Sequence, residues 1–240
     1  RGGSDYVAGV GVKKCGQESI AQYNSNIAVR FKRDYNSTKA KYAFFEEVEG
    51  DAYPYPGKSA RLDLKEGQDG PQTNVYQLGF NRYSERAVNT LATQMGKFSL
   101  DTRFVHYFYN GQYMGVKTMR EHFNDNLMED YFGDDSDNYT KIRFQDGYFP
   151  TGYIEAGEGD KALRDKILEL ARTGNFQEFK KYVDVEDMIK TQILYMFIDT
   201  EREIDAMIHN DVAAGNNLKM IFNINDTDGA FNNDKKTGTG

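Results

Sequence analysis

Two aromatic-rich runs meet at Asn110-Gly111, and this junction constrains the fold more than any other stretch of the 240-residue chain. Phe104-Val105-His106-Tyr107-Phe108-Tyr109 precedes it, and Gln112-Tyr113-Met114-Gly115-Val116 follows. A two-residue hairpin turn requires positive φ at its centre, which Asn and Gly tolerate. Arg103 to Val116 is therefore predicted as a β-hairpin, its Tyr and Phe rings serving as core because aromatic strands pack well. Ile27 to Phe31, Tyr42 to Phe45 and Ser59 to Leu64 read as further strands. Residues 1–26, 46–58 and 66–74 read as loops.

Helical periodicity enters at Ser84 to Met95, where Ala87, Leu91 and Met95 share a face. It dominates the last hundred residues. Asp160 is placed to cap a helix with the face Leu163, Ile167, Leu170 and Ala171, ended by Gly174. Asn175 caps a short helix carrying Phe176 and Phe179. Asp184 caps a third, with Met188, Ile189, Ile193, Leu194 and Phe197 inward. Leu218 to Phe222 then reads as a buried strand. Strands first and helices second predict an α+β fold. It is one domain over 1–240, with a sheet-rich part to about 120 and a helix-rich part from about 121.

Composition decides what such elements can do. Apolar residues are 39% and aromatics 14%, enough to bury a core. No run approaches the roughly 18 apolar residues that a membrane span needs. Lys plus Arg is 30 against 37 Asp plus Glu, a net charge of −7, which argues against a general nucleic-acid binder. A lone Cys15 cannot form an internal disulfide. The chain begins at Arg1 and ends in Lys-Lys-Thr-Gly-Thr-Gly, so a removed leader and a missing C-terminal part are expected.

Asp226-Thr227-Asp228-Gly229 follows the last predicted strand. Alternate carboxylates and a turn-permitting glycine suit a divalent cation; a solvated turn uses the same residue types. An EF-hand register fails, because Ile224 and Lys235 occupy its first and twelfth positions. Upstream, Asp205 precedes Asn210 by five residues. Protein kinases use that spacing in the catalytic loop, where Asp takes the substrate proton and Asn holds metal. Asp228 follows 23 residues later, after a strand, as the second metal ligand does in kinases. The His-Arg before the catalytic Asp, the glycine-rich loop and the Val-Ala-Ile-Lys strand of ordinary kinases are not found.

Four pieces together resemble the CotH family, the spore-coat type of atypical protein kinase with secreted relatives. They are Arg86 to Ala92; the hairpin from Tyr109 through Gly115-Val116 to Met119-Arg120-Glu121, like the family's NGxYxGxYxxxE with Lys117 where Tyr is usual; Asp205 with His209-Asn210; and Phe222 through Asp226-Thr227-Asp228-Gly229-Ala230-Phe231, like WDxDxxFG with Asn225 in place of Trp. Arg1-Gly2-Gly3-Ser4 matches the family's early Arg-Gly-x-Ser. The resemblance implies a kinase-like two-lobed fold and phosphoryl transfer from ATP to a protein, assisted by Mg²⁺ or Mn²⁺. It implies Asp205 as the catalytic-loop residue, Asn210, Asp226 and Asp228 as metal ligands, and Met119 to Glu121 beside the adenine. The phosphate-contacting lysine stays open among Lys13, Lys14 and Lys41. The secreted relatives imply an extracytoplasmic location.

Blander readings stand beside these. His209 reads as a capping or core histidine, His106 and His122 as structural, and Asp134-Asp135-Ser136-Asp137 as a solvated loop. A non-catalytic module of the same fold would bind a protein or glycan through exposed aromatics. A calcium-stabilised domain would use Asp226 and Asp228.

Overall fold

The computed structural model describes residues 5–15, 26–35, 38–46, 48–65, 83–144, 159–198, 204–215, 218–225, 227 and 230. Ten strands and five helices are found among them. The larger sheet is antiparallel, five-stranded and ordered β1-β2-β5-β7-β6. Its strands are β1 (Gly11–Cys15), β2 (Asn26–Arg30), β5 (Arg61–Lys65), β6 (Thr102–Tyr109) and β7 (Gln112–Glu121). A two-residue ladder, β3 (Ala40–Lys41) with β4 (Lys58–Ser59), lies between β2 and β5 in the chain. Helix α1 (Ser84–Gln94) precedes β6.

The hairpin turns at Asn110 (φ 49°) and Gly111 (φ 80°), the left-handed pair that the sequence predicts. Only its base joins the sheet, because β5 pairs with Thr118 to Glu121 alone. Its outer rings are therefore not core. Phe108, Tyr109 and Tyr113 are 59%, 58% and 50% exposed, stacked partly on one another.

Strand periodicity gives the sheet two unlike faces. Leu62 pairs with Val29, and Leu64 with Met119, on the face that packs on Phe31, Ala40 and Phe45. The opposite face carries Arg61, Asp63 and Lys65 of β5, with Arg120 across from Asp63. Helix α1 covers part of this charged face. Its buried side is Ser84, Glu85, Val88, Asn89 and Ala92, with Glu85 turned inward to meet Arg120; of the predicted stripe Leu91 and Met95 pack on the core while Ala87 is exposed.

The second half is not purely helical. After α2 (Asp125–Phe132), β8 (Tyr139–Phe144) joins β9 (Ile204–His209) and β10 (Ile221–Ile224) in an antiparallel sheet ordered β10-β9-β8. Helices α3 (Lys161–Thr173), α4 (Phe176–Tyr182) and α5 (Val185–Phe197) cover one face. All three predicted caps form. Asp160 accepts from Ala162 and Leu163 N–H, Asn175 from Glu178 N–H, and Asp184 from Asp187 N–H. Gly174 closes α3 in the left-handed conformation at φ 68°. On α5, Leu194 is buried but Ile189, Ile193 and Phe197 are exposed, contrary to the predicted face. Tyr42 to Phe45 is not a strand; its rings pack on Tyr6, Phe31 and Tyr55 instead.

Among the described residues strand β10 is an edge, and a buried ion pair closes it. Lys97 Nζ donates to Phe222 O at 2.6 Å, and Asp187 Oδ2 accepts from Phe222 N–H at 2.7 Å. Lys97 and Asp187 stand 3.5 Å apart. They satisfy the backbone groups that a fourth strand would otherwise take.

Candidate functional site

The charged face of the large sheet, the first turn of α1 and the end of β10 converge. Lys65 Nζ lies 3.9 Å from Glu85 Oε1, and Arg120 Nη1 bonds the same oxygen. All three residues are buried. One residue earlier on α1, Ser84 Oγ donates to Ala230 O at 3.1 Å. Ala230 and Thr227 are both buried and hydrogen-bonded to each other. The segment that contains Asp228 is thus anchored at the helix turn that carries Glu85. Asp226 and Asp228 themselves lie outside the described residues.

Asp63 extends the cluster. Its carboxylate accepts from Arg61 Nε and His122 Nδ1, both at 2.8 Å. Burial alone would raise its pKa, but His122, Arg120 and Arg61 hold it well below the usual carboxylate range. Burial pulls the His122 imidazole downward, against the attraction of Asp63. With Asp63 ionised, His122 donates through Nδ1.

Asp205 lies in β9, not in a loop. It is 1% exposed, with Oδ1 2.8 Å from Arg143 Nε and Oδ2 3.1 Å from Lys141 Nζ. It pairs with Asn223 of β10, at the end that leads toward residue 226. Asn210 follows the opposite end of β9. Five residues of strand separate the two by roughly 16 Å. The five-residue spacing thus runs along an extended strand rather than a loop. Asn210 instead accepts from Thr140 Oγ1 at 2.6 Å and donates to Asp137 O at 3.2 Å. It lines a polar cavity of about 370 Å³ with Asn124, Asp125, Asp137, Lys141 and Asp160. His209 is structural: its Nδ1 accepts from Asp211 N–H, so Nε2 carries the proton toward Asp134, 2.8 Å away.

Met119 belongs to the apolar cluster on the uncharged face. Glu121 is fully buried, and its Oε2 accepts from Asp101 N–H at 2.9 Å and Tyr131 OH at 3.0 Å. Neither side chain opens toward the charged face, because both alternate with Arg120 along β7. Burial and then the Asp101 charge push Glu121 well above the ordinary carboxyl range. Burial and then Asp51 push Asp101 up to about 7.

The sequence reading missed Lys65 and Glu85 and took Arg120 only as part of Met119 to Glu121. A lysine two residues beyond Asp63 on an alternating strand was the available signal. Of the lysines kept open, Lys13 and Lys14 lie on β1 and Lys41 on β3. Among the described residues no group of three or more His, Cys, Asp or Glu could hold a metal ion.

This is an α+β protein with two main antiparallel sheets, and a lysine–glutamate–arginine cluster is buried beneath the helix that links two strands of the larger one. The family model described as CotH kinase protein matches residues 82–240. The chain belongs to that family. No curated protein matches it.

Proposed function

We propose that the chain is a kinase-type phosphotransferase with a two-lobed fold, which moves the γ-phosphoryl of ATP to a protein hydroxyl. The observation that carries this reading is the Lys65–Glu85 pair. Protein kinases hold the ATP phosphates with a strand lysine paired to a glutamate of the following helix. Here β5 supplies the lysine and α1 the glutamate, in that chain order. Lys65 then replaces Lys13, Lys14 and Lys41 as the phosphate-contacting residue. Arg120 adds a second cation on Glu85.

Asp205 is the carboxylate assigned to orient the acceptor hydroxyl and receive its proton as oxygen bonds to the γ-phosphorus and ADP leaves. Arg143 and Lys141 fix that carboxylate and must yield to the acceptor. Asp226 and Asp228 are the proposed ligands for Mg²⁺ or Mn²⁺, which when bound neutralises phosphate charge. The protein acceptor and an extracytoplasmic site of action belong to the same proposal.

Thermal melting with ATP and Mg²⁺ or Mn²⁺ tests it. At a hundred-fold excess over Kd, a ligand of the native state adds about 2.7 kcal/mol, or roughly 5–10 °C for a chain of this size. The rise should vanish in Lys65→Ala and Asp228→Ala, and Asp205→Asn should abolish transfer from γ-labelled ATP while sparing the rise. A flat melting temperature in the wild type, with folding intact, sinks the reading.

One observation favours a second reading, a non-catalytic binding module. Both Asp205 oxygens are already taken by cations, which leaves no lone carboxylate for a hydroxyl. A protein or glycan partner would then meet the exposed rings of the hairpin tip. Binding that survives Asp205→Asn and Asp228→Ala would support it.

A further inference from the structure

We infer that the chain has a second small-molecule site, an anion-selective groove at the outer edge of the large sheet, suited to an organic carboxylate with an apolar body. The groove is a cavity of about 220 Å³. Strand β6 forms its floor, and among the described residues no strand pairs with the outer side of β6. Helix α1 forms one wall, and the segment around Phe45 the other.

Three features make this more than a surface dimple. Asn89 lines the groove and is only 7% exposed. Two guanidinium groups line the same space. Arg86 lies over the Phe104 ring at 5.2 Å, and Arg103 donates to Phe44 O at 2.9 Å, so both are held in place. A guanidinium presents several N–H donors in a fixed fork that fits a carboxylate. Leu100, Phe45 and Phe104 supply the apolar part.

The opposing charges are few. Glu46 is exposed at the mouth, where water screens it. Asp101 also lines the groove, but burial and then Asp51 push its carboxyl up to about 7, so it carries less than a full charge at neutral pH. The balance therefore favours a negative ligand. Asn89 also stands one helical turn beyond Glu85, on the same side of α1. An occupant would brace the helix that holds Glu85 against Lys65 and Arg120. Binding at the groove needs none of the phosphotransfer reading; only its effect on nucleotide would rest on it.

Titration with phenylacetate, followed by protein NMR shifts, tests the site, with phenylacetamide as the uncharged match. Roughly ten non-hydrogen atoms predict millimolar affinity. Saturable shifts are expected at α1 and β6, with phenylacetamide and Arg103→Gln each weakening binding about tenfold. Asn89→Leu keeps the helix face buried and should weaken the acid more than the amide. Equal affinity for acid and amide, unchanged affinity in Arg103→Gln, or no saturation on a cooperatively melting chain would each overturn the inference.

Discussion

At the scale of single residues, two carboxyls are the most displaced from their ordinary chemistry. Asp101 and Glu121 lie close together in a buried setting with Tyr131, and two negative charges there repel. The folded pKa of Asp101 is about 7 against an ordinary 3.8. Because the folded value is the higher one, folding favours the protonated acid. That contribution is complete below about pH 4 and is lost as pH rises through about 7. Wild type should therefore lose stability relative to Asp101→Asn across that window, in urea melts run at several pH values. A constant difference between the two proteins would refute the assignment. Asp63 runs the other way: its depressed pKa means stability that disappears as pH falls below the ordinary carboxylate value. None of this was legible in the sequence. An acidic residue gives no sign of its burial until its strand register and its neighbours are known. Lys65 escaped notice for the same reason, since its partner Glu85 comes from an element on the far side of residues 66–82.

At the scale of elements, local rules were legible wherever the chain signals to itself. Asn110-Gly111 turned as expected, and the three cap residues and Gly174 marked helix ends within a residue. Asp160→Ala should cost about 1 kcal/mol, and Gly174→Ala about the same, because an L-residue is strained at φ 68°. Chemical denaturation should show both with unchanged m-values. The reading failed where tertiary partners overrule periodicity. On α1 the charge pair drew Glu85 inward and left Ala87 outside, and on α5 three of the five residues expected inward point to water. Ile193→Ser, at a position 55% exposed, should shift stability by no more than about 0.5 kcal/mol. The Lys97–Asp187 closure of β10 predicts the opposite extreme. Lys97→Met leaves a buried carboxylate unpaired and should cost roughly 3–5 kcal/mol. Adding Asp187→Asn should recover part of that loss. If the double variant is less stable than the sum of the singles, the pairing is misread.

For the whole molecule, the α+β class was readable from the presence of both strand and helix patterns in the chain. The small second sheet was read only in part: the strand at Leu218 to Phe222 overlaps β10, but β8 and β9 were not read as strands. What binds the parts together is a convergence at the first turn of α1, where β5, β7 and residue 230 all arrive. Such a convergence is invisible to periodicity, because its members are far apart in the chain. It also sets a clock. Ser84 and Ala230 are 146 residues apart, and synthesis at roughly 5–20 residues per second puts about 7–30 s between them. During that interval the large sheet can form with Glu85 already between its two cations, yet the turn remains open on one side. The turn closes only after residue 230 has emerged, so a nascent chain halted before that residue should carry the sheet without the closed turn.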